Sequence, residues 1–456
     1  MKHDAISPVM RKLSAYIAQA GKKPLPAPVL ERTKHHVLDT IAAMVSGSRL
    51  LPGRKGISYV KTLGGTKEAC VIGSRILTNA ANAALANGMC AHADETDDSH
   101  APSVMHPGCG IVPAALAVAE RQGRNGEALL RAVALGYDVC CRWLMALGPN
   151  HVRATHRSAE GVSATMGAVA AAASMAQLDE RGMRYALSYA AQQVSGVWSW
   201  ERDIEHVEKA FDFAGMGARN GVTAALMAQA GFTGVPDVLE GEHNALEAHS
   251  AQPRPAEMAA DLGRRFYVTE TAIKTFSVGY PIQSALDALL TLRREHGLTP
   301  ANVERIVAKL PEDGAGIVND SAMPDVNLQY LMAVALIDGA VSFDASHSFD
   351  RMKDPQVLAV KQRVQLVGDR ALMDPAAPRS ANVEVRLRDG RMVSHFTRFA
   401  PGTKENALST DGVAAKARSL IAPVLGDERC EGVIRRINTL ETLSSVRDLV
   451  ALLTAV

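Results

Sequence analysis

A short acidic and histidine-rich segment has the residue types that proton-transfer chemistry requires. It reads H-A-D-E-T-D-D-S-H from His92 to His100, and a further histidine, His106, follows in A-P-S-V-M-H-P-G. Four carboxylates and three histidines thus fall within 15 residues, counted from His92 to His106. Neighbouring like charges raise the pKa of a carboxyl group, and imidazole titrates near neutrality. The segment can therefore supply an acid or a base at physiological pH.

Three interpretations of this segment are open. It could be a solvated acidic loop that caps the next helix and has no chemical role. It could bind zinc or magnesium through histidine and carboxylate ligands, although the chain has no HExxH pair. It could carry metal-free acid–base catalysis on a loop held by rigid elements, and this is the interpretation that we favour. Because no strand–GxGxxG–helix or Walker A pattern occurs either, we expect neither a metal nor an organic cofactor.

The elements that would position this segment are mostly Ala-rich helices. Hydrophobic periodicity predicts helices over 27–45, 78–90, 111–122, 126–147, 162–178, 181–193 and 217–229, with one short strand at 69–72. The helix over 162–178 contains M-G-A-V-A-A-A-A-S-M-A, whose small side chains permit close contact between helices.

The pattern changes near Arg265. Strands are predicted over 266–274 and 303–310, and a hairpin over 382–388 and 391–397 around the Asp389-Gly390 turn. Helices are predicted over 281–295 and 328–341, and again from 411 to the C-terminus. The predicted fold is mainly α with an α+β part: residues 1–265 form the first part of a split helical domain, 266–405 an inserted α+β lid domain, and 406–456 the C-terminal helices that return to the helical domain.

Composition excludes several classes of protein. At 456 residues the chain exceeds one ordinary core, and 49 Lys+Arg against 48 Asp+Glu leave no global charge that would attract nucleic acid or an anionic membrane. No signal-peptide core and no long apolar stretch occur. The six cysteines lack zinc-ligand or disulfide spacing, which together with the other features predicts a cytoplasmic protein.

The acidic segment also resembles a known signature. N-G-M-C-A-H-A-D-E-T-D-D-S-H from Asn87 to His100, followed by His106-Pro107-Gly108, is similar to the signature of the MmgE/PrpD family. That family includes 2-methylcitrate dehydratases, cis-aconitate decarboxylases and iminodisuccinate epimerases. Further segments resemble the family in the same order: G-M-G-A-R-N-G-V-T-A-A-L-M-A-Q-A-G-F-T-G from Gly215, Ile273-Lys274, and Q-Y-L-M-A-V-A-L-I-D-G from Gln329 to Gly339.

The resemblance implies chemistry that starts by removing or adding a proton at a carbon next to a carboxylate. We therefore predict a cofactor-independent hydro-lyase, similar to 2-methylcitrate dehydratase, that acts on a small hydroxylated di- or tricarboxylate. The alternatives are an epimerase or other isomerase, a decarboxylase of the same family, and a non-catalytic relative that binds carboxylates. The resemblance also implies a homodimer.

Matching motif to motif, Glu95 stands where the family commonly has Asp in D-x-D-D-[ST], and His106 matches the histidine of H-P-[SG]. The candidate catalytic residues that follow are Glu95, Asp97, Ser99, His106, His156 and Tyr330. The candidate substrate-binding residues are Asp98, Lys209, Lys274 and Gln283.

The resemblance also suggests a role for each type of side chain. His106 would transfer the proton, with Glu95 and Asp97 orienting a histidine or acting as the base. Lys209 and Lys274 would hold substrate carboxylates, and the Tyr330 hydroxyl would protonate a leaving hydroxide. Asp98 could instead be a structural charge at a helix N-terminus. Gln283 stands where many relatives have a histidine, which keeps the non-catalytic alternative open.

Overall fold

The computed structural model describes residues 6–454, which fall into two compact units. The helical unit is formed by the chain up to Ala93, by Asp97–Thr271, and by the chain from Thr410 onward. The α+β unit is formed by Asp94–Thr96 and Ala272–Ser409. The predicted fold class is confirmed. The three-residue piece Asp94–Thr96 comes from the acidic segment, whose residues are therefore divided between the two units.

The N-terminal part of the helical unit is a series of helices with one small hairpin. In chain order its elements are α1 (Pro8–Ala20), α2 (Ala27–Gly47), α3 (Leu51–Leu63), β1 (Ala69–Cys70), β2 (Leu77–Thr78), α4 (Ala80–Ala91), α5 (Pro107–Gln122), α6 (Gly126–Leu147), α7 (Pro149–Ala154), α8 (Ala159–Met175), α9 (Glu180–Ala191), α10 (Val207–Ala210), α11 (Met216–Gln229) and α12 (Ala245–His249). A turn of π-helix, Phe211–Gly215, joins α10 to α11.

Helix α8 lies at the centre of this unit. Every one of its residues is buried, which is typical of a helix that is apolar on all sides. Small side chains allow the neighbouring helices to come close: a Cβ at Gly167 would lie 2.7 Å from the carbonyl oxygen of Gly136, and one at Gly217 would lie 2.4 Å from the Cβ of Ala164. The close contact predicted for this Ala-rich helix is confirmed.

The α+β unit contains α13 (Gln283–His296), β3 (Val303–Pro311), α14 (Glu312–Val318), α15 (Leu328–Asp338), α16 (Phe343–Ser346), α17 (Pro355–Lys361), β4 (Val364–Asp369), β5 (Ala381–Leu387) and β6 (Met392–Thr397). The sheet order is β4-β3-β5-β6, with β3 and β4 parallel and the other pairs antiparallel. The apolar side chains of α13 and α15 form one core with the buried face of this sheet. The helical unit then ends with α18 (Thr410–Leu425), α19 (Asp427–Asn438) and α20 (Arg447–Val450).

Two details of the α+β region differ from the prediction. The strand predicted over 266–274 is wrong: the chain forms a 3-10 turn, Tyr267–Thr269, because the hydroxyls of Thr269 and Thr271 donate back to the carbonyls of Phe266 and Tyr267. Strand β4 was not predicted, and its one buried, three half-buried and two exposed residues do not alternate clearly. The predicted hairpin is confirmed as β5 and β6.

None of the helices between Ile6 and Thr454 is long and apolar enough to cross a membrane.

Candidate active site

In the helical unit, one buried carboxylate lies between two imidazoles. Asp97 is fully buried, and its Oδ2 lies 2.9 Å from Nδ1 of His92, the residue that follows α4. Its other oxygen, Oδ1, lies 3.3 Å from Nδ1 of His106, the residue that precedes α5. An ionised aspartate in this position favours the tautomer in which each imidazole carries its proton on Nδ1. Nε2 of each ring is then the atom that can accept a proton.

The next residue, Asp98, holds the segment in place. Its carboxylate accepts hydrogen bonds from the Gly108 amide at the start of α5 (3.0 Å), from the Tyr137 hydroxyl (2.5 Å) and from His36 Nδ1 (2.7 Å). All three partners lie in the helical unit, and Asp98 is fully buried. These bonds support the structural alternative for Asp98, and its predicted contact with substrate stays a prediction.

The π-helical turn supplies an aromatic wall beside the two imidazoles. The ring of Phe213 stacks on His92 with centroids 4.3 Å apart, and a further histidine, His206, lies 5.1 Å from His92. The ammonium group of Lys209 lies 5.0 Å from the Phe213 ring centroid and 5.1 Å from that of Trp200. Single π-helical turns often occur at functional sites. The structure thus brings the predicted residues Asp97, His106 and Lys209 into one region of the helical unit.

Two buried carboxyl groups lie near this cluster. Burial raises the pKa of Glu160, in the first turn of α8, to about 7, while the nearby charges of His106 and Lys209 oppose the increase. Burial likewise raises the pKa of Asp212 to about 7, against the effect of a hydrogen bond donated by the Ser158 hydroxyl. A carboxyl group with such a pKa is partly protonated at neutral pH and can act as an acid.

The α+β unit holds a second buried polar group around the other part of the acidic segment. Lys274 Nζ donates to the backbone carbonyl of Glu95 (3.0 Å) and lies 3.3 Å from its carboxylate. Asp94 accepts hydrogen bonds from the amide and hydroxyl of Thr96, and its Oδ2 lies 2.8 Å from His347 Nε2. Because Lys274 is almost fully buried, its positive charge requires a compensating negative charge within the protein, and the Glu95 carboxylate supplies it. The roles predicted for Glu95 in catalysis and Lys274 in carboxylate binding stay predictions.

The His347–Asp94 pair gives a pH-dependent prediction. Burial disfavours the charged imidazole, but the Asp94 carboxylate outweighs burial and raises the pKa of His347 to about 9. The pair therefore stabilises the fold fully below the unfolded pKa of about 6.5 and loses this contribution as pH rises through about 9. Replacing His347 by glutamine should lower the free energy of unfolding by about 2 kcal/mol at pH 6 and by much less at pH 10.

Chemical denaturation of the wild type and of His347→Gln at both pH values measures this difference. His296→Gln, at an exposed histidine of the same unit, is the matched control and should show little effect at either pH. An equal loss for His347→Gln at pH 6 and pH 10 would contradict the assignment of the pair.

Gln283 makes hydrogen bonds to four backbone groups of the segment before it. Its Oε1 accepts from the amides of Thr275 (3.2 Å) and Phe276 (3.1 Å), and its Nε2 donates to the carbonyls of Phe276 (2.9 Å) and Val278 (3.0 Å). The side chain is buried. These four bonds give Gln283 a structural role in the local backbone, and they offer a physical reason for a glutamine where the resemblance led us to expect a histidine. The predicted substrate contact of Gln283 stays a prediction.

Replacing Gln283 by alanine should lower the free energy of unfolding by about 2 to 4 kcal/mol, because the buried amides and carbonyls lose their partners. Gln356→Ala, at an exposed position in α17, is the control and should change stability by less than about 0.5 kcal/mol. Thermal or urea unfolding measures both variants. A stable Gln283→Ala protein with weaker substrate binding would instead favour the substrate contact.

The remaining predicted residues are found in varied surroundings. The Tyr330 hydroxyl, in α15, donates to the carbonyl of Ala345 at 2.5 Å. Ser99 is buried next to Asp98. His156 follows α7, is exposed and has a positive φ of 60°. Within the described range 6–454 it makes no contact with the His92–Asp97–His106 cluster. The catalytic roles of these three residues stay predictions.

The positions of His92, Asp97 and His106 also bear on the interpretation of the segment as a metal site. One ligand atom each from His92, Asp97 and His106 lies within 4.8 Å of the others, which is compatible with a three-ligand site. A cation held through His92 Nδ1 or Asp97 Oδ2 would replace the hydrogen bond between these two atoms, whereas the other ligand atoms of the three residues would leave that bond in place. The geometry is thus compatible with acid–base chemistry and with metal binding.

Several residues of these buried polar groups were not predicted as site residues from the sequence. Glu160, Asp212 and His206 are single polar residues in apolar or mixed segments, and their spacing carries no motif. No role for His347 or for its partner Asp94 follows from the sequence. H-V-E-K from His206 to Lys209 was the one local signal, since it places a histidine three residues before the lysine that the family pattern selected.

Known protein families and individual relatives match nearly the whole chain. The profile of the MmgE/PrpD N-terminal domain matches residues 11–258, and that of the MmgE/PrpD C-terminal domain matches residues 276–440. A cis-aconitate decarboxylase-like protein of Aspergillus oryzae is 24% identical over 478 aligned positions, which cover 98% of this chain and 97% of that protein. A cis-aconitate decarboxylase of Aspergillus terreus is 22% identical over 487 positions, covering 99% of this chain and 96% of the relative.

Proposed function

Because the chain belongs to the MmgE/PrpD family, we propose that it is a lyase that moves a proton at a carbon next to a carboxylate of a small polycarboxylate. The observation that carries the proposal is the buried carboxylate of Asp97 between His92 and His106. A carboxylate that orients an imidazole through Nδ1 makes Nε2 a better base, and it stabilises the imidazolium that forms when the proton arrives.

His106 is the proton-transfer residue in this proposal. Its side chain is 14% exposed, whereas that of His92 is fully buried, so His106 has the better access to a ligand. His92, stacked on Phe213, helps to fix the orientation of the Asp97 carboxylate. Lys209 is the nearest predicted cation in the helical unit and would hold a substrate carboxylate, which stabilises the negative charge that develops when the proton leaves.

We propose elimination of water as the reaction. His106 Nε2 removes the proton from the carbon next to the carboxylate, and the electron pair of the broken C–H bond forms a C=C bond. The neighbouring C–O bond breaks, and the departing hydroxide takes a proton from an acid to leave as water. Protonated Glu160 is a candidate for that acid, since its pKa of about 7 lies in the working range.

The Glu160 role gives a prediction on pH dependence. Replacing Glu160 by glutamine should remove an ionisation near pH 7 from the profile of kcat/KM and lower its maximum by about 10- to 100-fold. Glu160 is buried in the first turn of α8. Because glutamine is nearly the same size as glutamate, the substitution keeps this position filled. Profiles of the wild type and the variant between pH 5 and pH 9 measure the change. An unchanged profile would show that Glu160 is structural; Glu180→Gln, in the first turn of α9, is the matched control.

Decarboxylation is the second candidate reaction, because two relatives that match nearly the full chain are named as a cis-aconitate decarboxylase and a protein like it. In that case the C–C bond to a carboxylate breaks, carbon dioxide leaves, and the electron pair stays on the substrate carbon. The same imidazole then donates a proton to that carbon instead of removing one.

The test is to incubate the purified protein with 2-methylcitrate, citrate, malate and cis-aconitate, with and without a chelator, in deuterated buffer. A new ultraviolet absorbance from a conjugated C=C bond supports the hydro-lyase, and release of carbon dioxide supports the decarboxylase. Deuterium incorporation without net reaction supports an epimerase. Binding with neither turnover nor exchange would overturn the proposal in favour of a non-catalytic relative, and loss of activity with the chelator would favour the metal interpretation.

Two further expectations belong to this proposal. A homodimer is predicted from the resemblance, and sedimentation of the full chain measures it. A cytoplasmic location stays a prediction as well.

A further inference from the structure

A polar cavity lies in the helical unit, lined by none of the residues of the His92–Asp97–His106 cluster. It has a volume of about 340 Å³ and lies among the C-terminal ends of α1 and α8 and the N-terminal end of α6. Ser174, near the C-terminus of α8, lines it, whereas Glu160 lies in the first turn of the same helix. Fourteen residues separate the two (174 − 160), which corresponds to about 21 Å along the helix.

The charge of this cavity is one-sided. Lys22, Arg124 and Arg131 line it, and no aspartate or glutamate is among its lining residues. Glu127 pairs with Arg131 from outside the lining, and Lys22 and Arg124 have no paired carboxylate within the described range 6–454. Desolvation lowers the pKa of Arg124, which means that keeping its guanidinium charged at this position costs free energy.

Hydrogen bonds to backbone carbonyls hold the two arginines in place. Arg124 Nε donates to the carbonyl of Met175 at 2.8 Å, and Arg131 Nη1 donates to that of Gly21 at 3.2 Å. Both carbonyls belong to helix C-termini, where cations are favoured. Each guanidinium has five N–H groups, so these bonds fix the side chains and use only part of their capacity to donate.

Two buried polar atoms at the cavity have no hydrogen-bond partner among residues 6–454. They are Oγ of Ser174, a residue that is 92% buried, and Nε of Arg131. Buried polar atoms in native proteins are nearly always hydrogen-bonded, and both residues line the cavity, so the two atoms are candidate donors to a bound ligand. Both atoms can donate a hydrogen bond, which suits an acceptor group such as an anion.

We propose that this cavity is a binding site for a small organic anion that bears a phosphate or carboxylate group. The cations of Lys22, Arg124 and Arg131 bind the anionic group, while Met175, Leu178 and Met183 contact its apolar part. The volume lies in the range of small-molecule sites and exceeds what an inorganic ion fills. The site is separate from the proton-transfer cluster, and the inference does not depend on the proposed reaction.

The chain offers a matched pair of lysines for the test. Lys22 and Lys23 are adjacent and both exposed, but Lys22 lines this cavity whereas Lys23 lines a different one. Binding of inorganic phosphate, pyrophosphate and tricarballylate is measured by calorimetry and by the shift in Tm, at constant ionic strength, for the wild type, Lys22→Glu and Lys23→Glu. Lys22→Gln and Arg124→Gln are measured as well, in case the charge reversal perturbs the fold.

At least one probe should bind the wild type, with affinity reduced about tenfold or more in Lys22→Glu, less strongly in Lys22→Gln, and within about twofold of the wild type in Lys23→Glu. A preference for phosphate or for tricarballylate identifies the anionic group. Absence of binding by every probe, or equal binding by the two charge-reversed variants, overturns the proposal. Because binding is measured without turnover, an inactive protein that still shows this pattern would contradict the proposed reaction and leave the site intact.

Discussion

Replacing His106 by asparagine is expected to lower kcat by about 10²- to 10⁴-fold, the range that a positioned acid or base contributes. The variant loses the Nε2 atom that would move the proton, and it keeps a polar amide near the position of Nδ1, which lies 3.3 Å from Asp97 Oδ1 in the wild type. The His106 side chain is partly exposed, so the free energy of unfolding should change by less than about 1 kcal/mol. Steady-state kinetics on the substrate found by the assays, together with urea unfolding, measures both quantities.

His243→Asn is the matched control, because His243 is 89% exposed and its ion pair with Glu242 is on the surface. It should leave kcat and stability unchanged. If His106→Asn retains more than about a tenth of the wild-type kcat, proton transfer by His106 is excluded and the remaining imidazoles, first His92 and His206, become the candidates.

Replacing Asp97 by asparagine is expected to lower kcat by about 10³-fold or more. Asparagine lacks the negative charge that the Asp97 carboxylate places 2.9 Å from His92 Nδ1 and 3.3 Å from His106 Nδ1, and its NH₂ group would favour the tautomer with the proton on Nε2. In that tautomer His106 cannot act as a base at Nε2. The loss should appear in kcat more than in KM, because Asp97 orients the proton-transfer residue and is not proposed to bind substrate.

Asp98→Asn separates this role from simple burial of a charge. Asp98 is the neighbouring residue and equally buried, but it accepts from Gly108, Tyr137 and His36. Its replacement should cost about 2 to 4 kcal/mol of stability and change the kcat of the folded protein much less. The double variant Asp97→Asn/His106→Asn should be no slower than the slower single variant by more than a few-fold. Fully additive losses would contradict a shared mechanism.

The helices and the β5–β6 hairpin could be predicted because their signals are local. Apolar spacing marks one face of a helix, and Asp389-Gly390 marks a tight turn, so no knowledge of distant residues is required. The predicted helix over 126–147 has the same bounds as α6. The prediction of a strand over 266–274 was wrong although it also rested on a local signal. The β-branched residues of this segment favour a strand, but hydrogen bonds from side-chain hydroxyls to backbone carbonyls within the segment favour a turn.

The candidate site was only half predictable. The sequence predicted that the acidic segment carries the chemistry, which stays a prediction, and the order of motifs identified the family, which is confirmed. It could not assign partners within the segment, because a loop has no fixed period that tells which side chain faces which neighbour. Thus the adjacent residues Asp97 and Asp98 have different partners, and Asp94 and Glu95 belong to the other unit.

The acidic and histidine-rich composition, the family and the succession of helices were therefore determined by the sequence alone, since they depend on residue types and short spacings. Only the tertiary structure decided that Asp97 lies between His92 and His106, that Lys274 contacts Glu95 from 179 residues away, and that burial raises the pKa of Glu160 to about 7. These properties depend on burial and on contacts between distant segments. Both arise when the chain packs, and no local pattern encodes them.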